Sequence, residues 1–169
     1  MNFVPLQIAV LTVSDTRDEA TDKSGALLRD LLTGDGHHCA DKRIVRDDRY
    51  LIRAVVSQWI ADDAVQVVIA TGGTGFTGRD ITPDALLPLF DKPIEGFGEL
   101  FRQISFAEIG TSTVQSRALG GIANGTLIFA LPGSSNACRT GWEKLLRAQL
   151  DIRHKPCNFA ELMPRFREH

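Results

Sequence analysis

The sequence predicts an α/β protein built around a mostly parallel sheet. Short apolar runs, which suit buried strands, alternate along the chain with longer segments whose apolar residues recur at helical spacing. Strands that alternate with helices of this length are joined by right-handed crossovers, which produce a parallel sheet. The length of 169 residues, with 43% hydrophobic and 24% charged residues, indicates one ordinary globular domain, residues 1–169.

Three strands and two helices are predicted in the first part of the chain. The strands are the apolar runs Ile8–Ser14 and Val65–Ala70 and, between them, a strand at about Cys39 to Val45. The apolar stripe of the first helix consists of Leu27, Leu28, Leu31 and Leu32. The stripe of the second consists of Leu51, Ile52, Val55, Val56, Trp59 and Ile60. Between them, the adjacent His37 and His38 are expected to form a solvated turn rather than a metal site.

The second part of the chain predicts further helices and one clear last strand. Pro83 suits the first turn of a helix, because its fixed φ is helical and its missing N–H is not needed there. A longer helix carries Phe97, Leu100, Phe101 and Ile104 on one face. Gly120-Gly121 interrupts a polar segment before the strand Thr126–Leu131, and another helix carries Trp142, Leu145, Leu146 and Leu150. From about residue 151 we expect an irregular C-terminal arm.

Composition excludes several classes of protein. A net charge of −2 is unlike the strong basic excess of nucleic-acid-binding domains. The three cysteines are far apart and form no C-x-x-C pair, so neither a disulfide framework nor a zinc site is predicted. The N-terminus lacks the features of a secretory leader, and no window approaches the length of a membrane span. A cytoplasmic protein without membrane contact is therefore expected.

The most informative stretch runs from Thr71 to Asp84 and follows an apolar run. Four glycines within eight residues allow positive φ and the close approach of a ligand. Loops that leave the carboxyl ends of parallel strands meet at one edge of the sheet, where glycine-rich backbone and helix N-termini favour anions. Four such loops are expected to converge: Ser14–Gly25, Arg46–Asp48, Thr71–Asp80 and Leu131–Ala137.

Two carboxylates at strand ends favour a ligand-binding site over a glycine-rich turn that serves packing alone. Mg²⁺ takes one or two protein carboxylates and completes its shell with water and phosphate oxygens, and Asp47 and Asp80 can supply that pair. The alternative is that Asp47 caps the second helix and Asp80 caps the helix near Pro83. Spacing alone leaves the two interpretations open.

Motifs that the sequence lacks exclude several kinds of catalytic site. Neither a Walker-type phosphate loop nor a G-x-G-x-x-G sequence occurs, which argues against a P-loop ATPase and a nicotinamide dehydrogenase. No histidine is placed in sequence to activate Ser14, Ser116 or Ser134, so covalent catalysis through serine is disfavoured. Phosphoryl or nucleotidyl transfer fits better, because it depends on positioning and charge neutralisation.

These residues also carry a family resemblance. Thr71-Gly72-Gly73-Thr74-Gly75, followed by Arg79-Asp80-Ile81-Thr82-Pro83-Asp84-Ala85, resembles the hallmark of the molybdopterin-binding family of molybdenum-cofactor biosynthesis. Matching segments follow in the family's order from about Gln7 to about Leu150: Ser14-Asp15, Asp22-Lys23-Ser24-Gly25, Gly96-Phe97-Gly98-Glu99, Ser116-Arg117-Ala118 and Leu131-Pro132-Gly133-Ser134. The tracts most similar to the bacterial MoaB branch are Leu86–Asp91, Gly110–Thr113 and Cys138–Thr140.

The resemblance implies a three-layer α/β/α sandwich that assembles as a homotrimer or a dimer of trimers. The implied activity is Mg²⁺- and ATP-dependent adenylylation of molybdopterin, which releases pyrophosphate. It places Asp47 and Asp80 at the family's catalytic, metal-binding positions and phosphate at Thr71, Gly72, Gly73, Thr74 and Gly75. On the pterin-phosphate side it places Ser112, Ser116 and Arg117, with Gly133 and Ser134 closing the pocket and Glu99 as a weaker match.

Two departures from the family pattern bear on function. The usual Pro-Gly-Ser/Asn-Pro is Pro132-Gly133-Ser134-Ser135 here. Some members of the branch have lost the acidic pair, whereas this chain keeps both aspartates, which argues for retained activity. The alternatives are a non-catalytic molybdopterin-binding or carrier protein and an oligomeric scaffold. Other proteins of the same pathway are further expected partners.

Overall fold

A sheet of six strands forms the centre of the protein: β1 (Gln7–Val13), β2 (His38–Val45), β3 (Val67–Thr71), β4 (Lys92–Pro93), β5 (Leu119–Ala123) and β6 (Thr126–Leu131). This computed structural model describes residues 1–169. The strand order is β2-β1-β3-β6-β5-β4. The first four strands in that order are parallel to one another, whereas β5 and β4 run antiparallel to their neighbours. The predicted mostly parallel sheet is confirmed.

Seven α-helices cover both faces of the sheet: α1 (Lys23–Gly34), α2 (Arg49–Ala61), α3 (Thr82–Leu86), α4 (Glu95–Ile109), α5 (Ser135–Gly141), α6 (Arg147–Gln149) and α7 (Phe159–Leu162). A π-helical turn, Trp142–Leu146, joins α5 to α6. The core under α1, α4 and α5 contains 19 buried residues, and the core under α2 and α3 contains 15. The layers are therefore those of an α/β/α sandwich. None of the helices combines the length and apolar composition that crossing a membrane requires.

Side-chain caps fix where four of the helices begin: α1, α2, α5 and α7. Asp22 accepts a hydrogen bond from the Gly25 amide at the start of α1. Asp48 accepts from the Tyr50 and Leu51 amides, 2.8 and 2.9 Å away, at the start of α2. These aspartates satisfy amides that lack partners within the helix, which sets the loops that precede each helix.

Strands β4 and β5 were not predicted, because Gly120 and Gly121 were interpreted as an interruption. Both glycines lie inside β5. A Cβ at Gly120 would meet the ring of Phe129, and one at Gly121 would meet the ring of Phe90. The glycines therefore mark close packing of aromatic rings on the strand, a usual reason for glycine within a sheet.

The prediction of a solvated turn at His37 was wrong. Its side chain is buried between the rings of Phe3 and Trp142, with ring centroids 4.9 and 5.8 Å away. Nδ1 of His37 accepts a hydrogen bond from the Leu6 amide, 3.1 Å away. Long-range contacts with the N-terminus, which local sequence does not reveal, take this ring out of water.

The C-terminal residues from 151 onward contain two short helical segments, α7 and the 3₁₀ turn Met163–Arg165. Ala160 is buried, and Phe159, Met163 and Phe166 pack against the larger core cluster. The segment thus packs on the body of its own chain.

The connections define where a ligand cleft forms. Strands β1 and β3 are neighbours, but the chain leaves β1 toward α1 on one face and leaves β3 toward α3 on the other. Such a switch point opens a crevice beyond the carboxyl ends of the strands, the usual position of ligands in open α/β sheets.

Candidate active site

A cleft of about 740 Å³ lies at this switch point. Loops following β1, β2, β3 and β6 form it, as the sequence predicted. One wall comes from α4 and the 3₁₀ turn after it, through Phe101, Ser105, Glu108, Ile109, Ser112, Gln115 and Ser116. Most of the lining is polar, since only Val13, Phe101, Ile109, Ala137, Pro132 and four glycines lack polar side chains.

The glycine-rich loop after β3 presses its backbone into the floor of the cleft. Gly72 has a φ of +100°, and a Cβ there would collide with the carbonyl oxygen of Val13. Gly73 has a φ of +67°, and a Cβ there would lie 3.0 Å from Oδ1 of Asp47. Both positions need glycine, because side chains rarely adopt this φ and no space exists for one. The Thr82 hydroxyl donates to the Gly72 carbonyl oxygen at 2.8 Å and fixes the loop.

Asp47 presents a carboxylate that no other side chain binds. Helix α2 is capped by Asp48, so the alternative interpretation of Asp47 as a helix cap was wrong. The Asp47 amide donates to Oδ1 of Asp15 at 3.1 Å, which holds its backbone, while its carboxylate lines the cleft. Burial raises the pKa of the Asp47 carboxyl, and the negative charge of Asp15 raises it further, whereas Arg79 lowers it. A cation bound in the cleft would stabilise the ionised form of the Asp47 carboxyl.

Asp80 does not cap a helix either. Helix α3 begins after Ile81 without a side-chain cap. Instead, Oδ2 of Asp80 accepts from the amide and the hydroxyl of Thr77, at 3.0 and 2.8 Å, and closes a turn of the loop. Its carboxylate lies against Gly75, where a Cβ would come within 2.7 Å of it, and it lines the cleft. Oδ1 of Asp80 has no partner in the protein.

An ion pair between Asp15 and Arg79, which was not predicted from the sequence, lies beside Asp47. The Arg79 guanidinium donates to both Asp15 oxygens at 2.8 and 2.9 Å. The Arg79 hydrogen bonds lower the pKa of the Asp15 carboxyl, which therefore stays ionised beside Asp47. Asp15 lies in the resemblance motif Ser14-Asp15, and that position was the available signal for its importance.

A buried ion pair fixes the start of α1. Nζ of Lys42 lies 2.9 Å from Oδ2 of Asp22, and the hydroxyl of Thr12 donates to the same oxygen at 2.7 Å. Burial opposes ionisation of Asp22, but these hydrogen bonds outweigh it and lower the pKa of the carboxyl. Ser24, in the first turn of α1, donates to the Gly133 carbonyl oxygen at 2.7 Å, which connects the start of α1 to the loop after β6.

The other residues predicted from the sequence divide into two groups. Those that line the cleft are Thr71, Thr74, Ser112, Ser116, Gly133 and Ser134. Arg117 lies outside the lining, because its guanidinium binds the carbonyl oxygens of Gly75 and Asp80 at 2.9 and 2.7 Å and the carboxylate of Asp84. It supports the glycine-rich loop from behind. Glu99 is exposed on α4 and also lies outside the cleft.

The fold and the cleft define a class of protein. It is an α/β/α protein whose switch-point cleft offers main-chain groups of a glycine-rich loop, many hydroxyls and two carboxylates close to that loop. No group of three or more His, Cys, Asp or Glu residues lies close enough together to hold a metal by itself. Such a site suits a phosphorylated ligand that brings oxygen ligands of its own.

Comparison with known proteins agrees with this class. Residues 9–152 match the family described as a probable molybdopterin binding domain. The chain is 62% identical over 157 residues to molybdenum cofactor biosynthesis protein B of Escherichia coli, covering 93% of this chain and 92% of that protein. It is 46% identical over 149 residues to the protein of that name from Staphylococcus aureus, covering 86% and 88%.

Solved structures show the same fold. A crystal structure of molybdenum cofactor biosynthesis protein B has a TM-score of 0.85 and 45% identity, covering 87% of this chain and 92% of that one. The tungsten cofactor synthesizing protein MoaB from Pyrococcus furiosus has a TM-score of 0.76 and 40% identity, covering 85% and 91%. The chain belongs to the molybdopterin-binding family of molybdenum cofactor biosynthesis, in its MoaB branch.

Proposed function

We propose that the protein adenylylates molybdopterin with ATP and Mg²⁺. The observation that carries the proposal is the unpartnered Asp47 carboxylate, which lies against Gly73 of the glycine-rich loop and near the charge of Asp80. Neither aspartate caps a helix, the role that was the alternative to metal binding. Family membership supports the pterin as substrate.

The donor set fits Mg²⁺. Asp47 and the free oxygen of Asp80 are hard ligands, and the absence of a larger cluster leaves coordination positions for water and phosphate oxygens. When bound there, Mg²⁺ would neutralise charge on the triphosphate. The amides of Gly73, Thr74 and Gly75, which belong to residues of the lining, would bind phosphate oxygens along the same loop.

The reaction has one bond-forming and one bond-breaking event. An oxygen of the terminal phosphate of molybdopterin attacks the α-phosphorus of ATP, the bond from that phosphorus to the bridging oxygen breaks, and pyrophosphate leaves. No covalent enzyme intermediate is needed, consistent with the lack of an activated serine. Residues of the chain act by orienting the two phosphates and by balancing their charge. Ser112 and Ser116 offer hydroxyls on the α4 side of the cleft for the pterin substrate.

The test is incubation of the protein with molybdopterin, ATP and Mg²⁺, followed by detection of adenylylated pterin and pyrophosphate. We expect both products in equal amounts. Asp80→Asn should lose turnover while it retains pterin binding. A wild-type protein that binds molybdopterin and forms no product would refute the enzyme and establish the carrier instead.

We also propose that the chain forms a homotrimer or a dimer of trimers. Four apolar side chains on α4 and the turn after it are between 44% and 73% exposed: Leu100, Phe106, Ile109 and Val114. Burial of these side chains between subunits would remove apolar surface from water. Sedimentation velocity tests the assembly, and a monomer at working concentration would contradict it.

A further inference from the structure

Two basic side chains in the cleft have no partner within the protein. Arg17 lies on the loop between β1 and α1, Lys23 is the first residue of α1, and both line the cleft and are exposed. Neither side chain takes part in any ion pair or hydrogen bond of the protein, although Arg29 on the same helix pairs with Asp30. They are the two cationic residues of the lining.

The carboxylates of the cleft do not neutralise them. Five carboxylates line the cleft, and three of these form ion pairs with other side chains: Asp15 with Arg79, Asp22 with Lys42 and Glu108 with Lys144. Asp47 and Asp80 are the exceptions, and both lie on the side of the cleft proposed for Mg²⁺. The two cations are therefore available to an anionic ligand.

The two residues are close in sequence to residues that contact different loops of the cleft. Arg17 follows Asp15, which binds the Asp47 amide, by two residues. Lys23 precedes Ser24, whose hydroxyl binds the Gly133 carbonyl oxygen. The Lys42–Asp22 pair holds the backbone just before Lys23. The loop thus carries one cation, Arg17, near Asp15, and the start of α1 carries the other, Lys23, near the loop after β6.

We propose that Arg17 and Lys23 are substrate-binding residues that bind phosphate oxygens, a role that rests on the adenylylation proposed above. Both cations are hydrogen-bond donors with full positive charge, which suits them to phosphate oxygens. The phosphates come from the triphosphate of ATP or from the terminal phosphate of molybdopterin. Separate binding measurements distinguish these two sources.

The experiment compares Arg17→Gln and Lys23→Gln with wild type and with Arg29→Gln as the matched control. Arg29→Gln removes the same charge from α1 but lies outside the cleft. Calorimetric titration measures Kd for inorganic tripolyphosphate with Mg²⁺ and, separately, for molybdopterin. For the phosphate source that is correct, each cleft variant should weaken binding about 10- to 100-fold, because hydrogen bonds to charged groups are the strong class.

Two further measurements separate phosphate binding from a structural effect. Lys23→Arg keeps the charge and should retain binding within about threefold of wild type, since a single conserved charge preserves most of the attraction. The dependence of Kd on salt should be weaker in the Gln variants than in wild type, because fewer protein charges remain to be screened. Thermal unfolding of every variant verifies that the fold is intact.

The outcomes separate this proposal from the proposed function. If both Gln variants bind tripolyphosphate and molybdopterin as tightly as wild type, or if wild type binds neither, the assignment of Arg17 and Lys23 is overturned. If wild type binds tripolyphosphate through these two residues but forms no adenylylated pterin, the adenylylation is refuted and the phosphate-binding assignment stands.

Discussion

Asp15 joins Arg79 in a two-point ion pair that spans 64 residues of sequence, with oxygen–nitrogen distances of 2.8 and 2.9 Å. The same carboxylate accepts a hydrogen bond from the Asp47 amide at 3.1 Å. One side chain on the loop after β1 therefore ties together the loops after β2 and β3. These are the loops that carry the two carboxylates proposed to act on the substrates.

We expect Asp15→Ala to lower the rate of adenylylation about 10- to 100-fold, because small displacements of a catalytic group have effects of that order. The variant leaves the Asp47 amide and the Arg79 guanidinium without their acceptor. Asp15→Asn retains one acceptor oxygen and should lose less. Asp30→Ala, on the exposed face of α1, is the control. Wild-type rates in Asp15→Ala would contradict the positioning role.

Gly72→Ala should destabilise the protein by at least about 2 kcal/mol, since a positive φ and a collision with backbone each carry a cost of that order. The obstructing atom is the Val13 carbonyl oxygen of a central strand, which has no freedom to move. Gly78→Ala in the same loop is the matched control, because a Cβ there meets nothing within 4 Å. Urea denaturation measures both variants, and equal stabilities would show that the Gly72 contact is not restrictive.

Substitution of Lys42 should lower the free energy of unfolding more than substitution of an exposed lysine. Its side chain is 10% exposed and that of Asp22 is 1% exposed. Lys42→Met leaves the Asp22 charge buried without its cation, which typically costs about 3–5 kcal/mol. The double variant with Asp22→Asn should recover part of the loss, because no buried charge remains. Lys155→Met, whose partner Glu161 lies at the surface, supplies the baseline for a urea-denaturation comparison. Equal losses in both lysine variants would refute the prediction.

Stability should fall as the pH drops below the usual pKa of histidine, about 6.5. Burial lowers the pKa of His37 in the folded protein, although the charges of Asp35 and Asp151 raise it in part. The unfolded chain binds a proton near pH 6.5 and the folded one does not, so acid favours unfolding until the folded pKa is passed. The slope from this one group is at most about 1.4 kcal/mol per pH unit.

Unfolding free energies between pH 7.5 and 5.5 measure this effect. His37→Gln keeps a hydrogen-bond acceptor for the Leu6 amide and removes the titration, so its pH profile should be flatter. Identical slopes in both proteins would assign the acid sensitivity to other groups.

Local sequence patterns were sufficient to predict β1, β3 and β6 of the parallel sheet, since these strands are mostly apolar runs. They failed at β5, where glycine signals a turn in sequence but accommodates the Phe90 and Phe129 rings in the structure. They failed again at His37, whose neighbours Phe3 and Trp142 come from the two ends of the chain.

The sequence alone determined the fold class, the four loops of the cleft and the two carboxylates, because apolar periodicity and loop composition are local properties. It left open whether Asp47 and Asp80 cap helices or face a ligand. Only the tertiary structure shows that neither aspartate caps a helix, because Asp48 caps α2 and α3 begins without a side-chain cap. The tertiary structure also decided the pairing of Asp15 with Arg79, the binding of Arg117 to the glycine-rich loop, and the lack of partners for Arg17 and Lys23. These features depend on contacts between distant segments, which exist only once the sheet has brought the strand ends together.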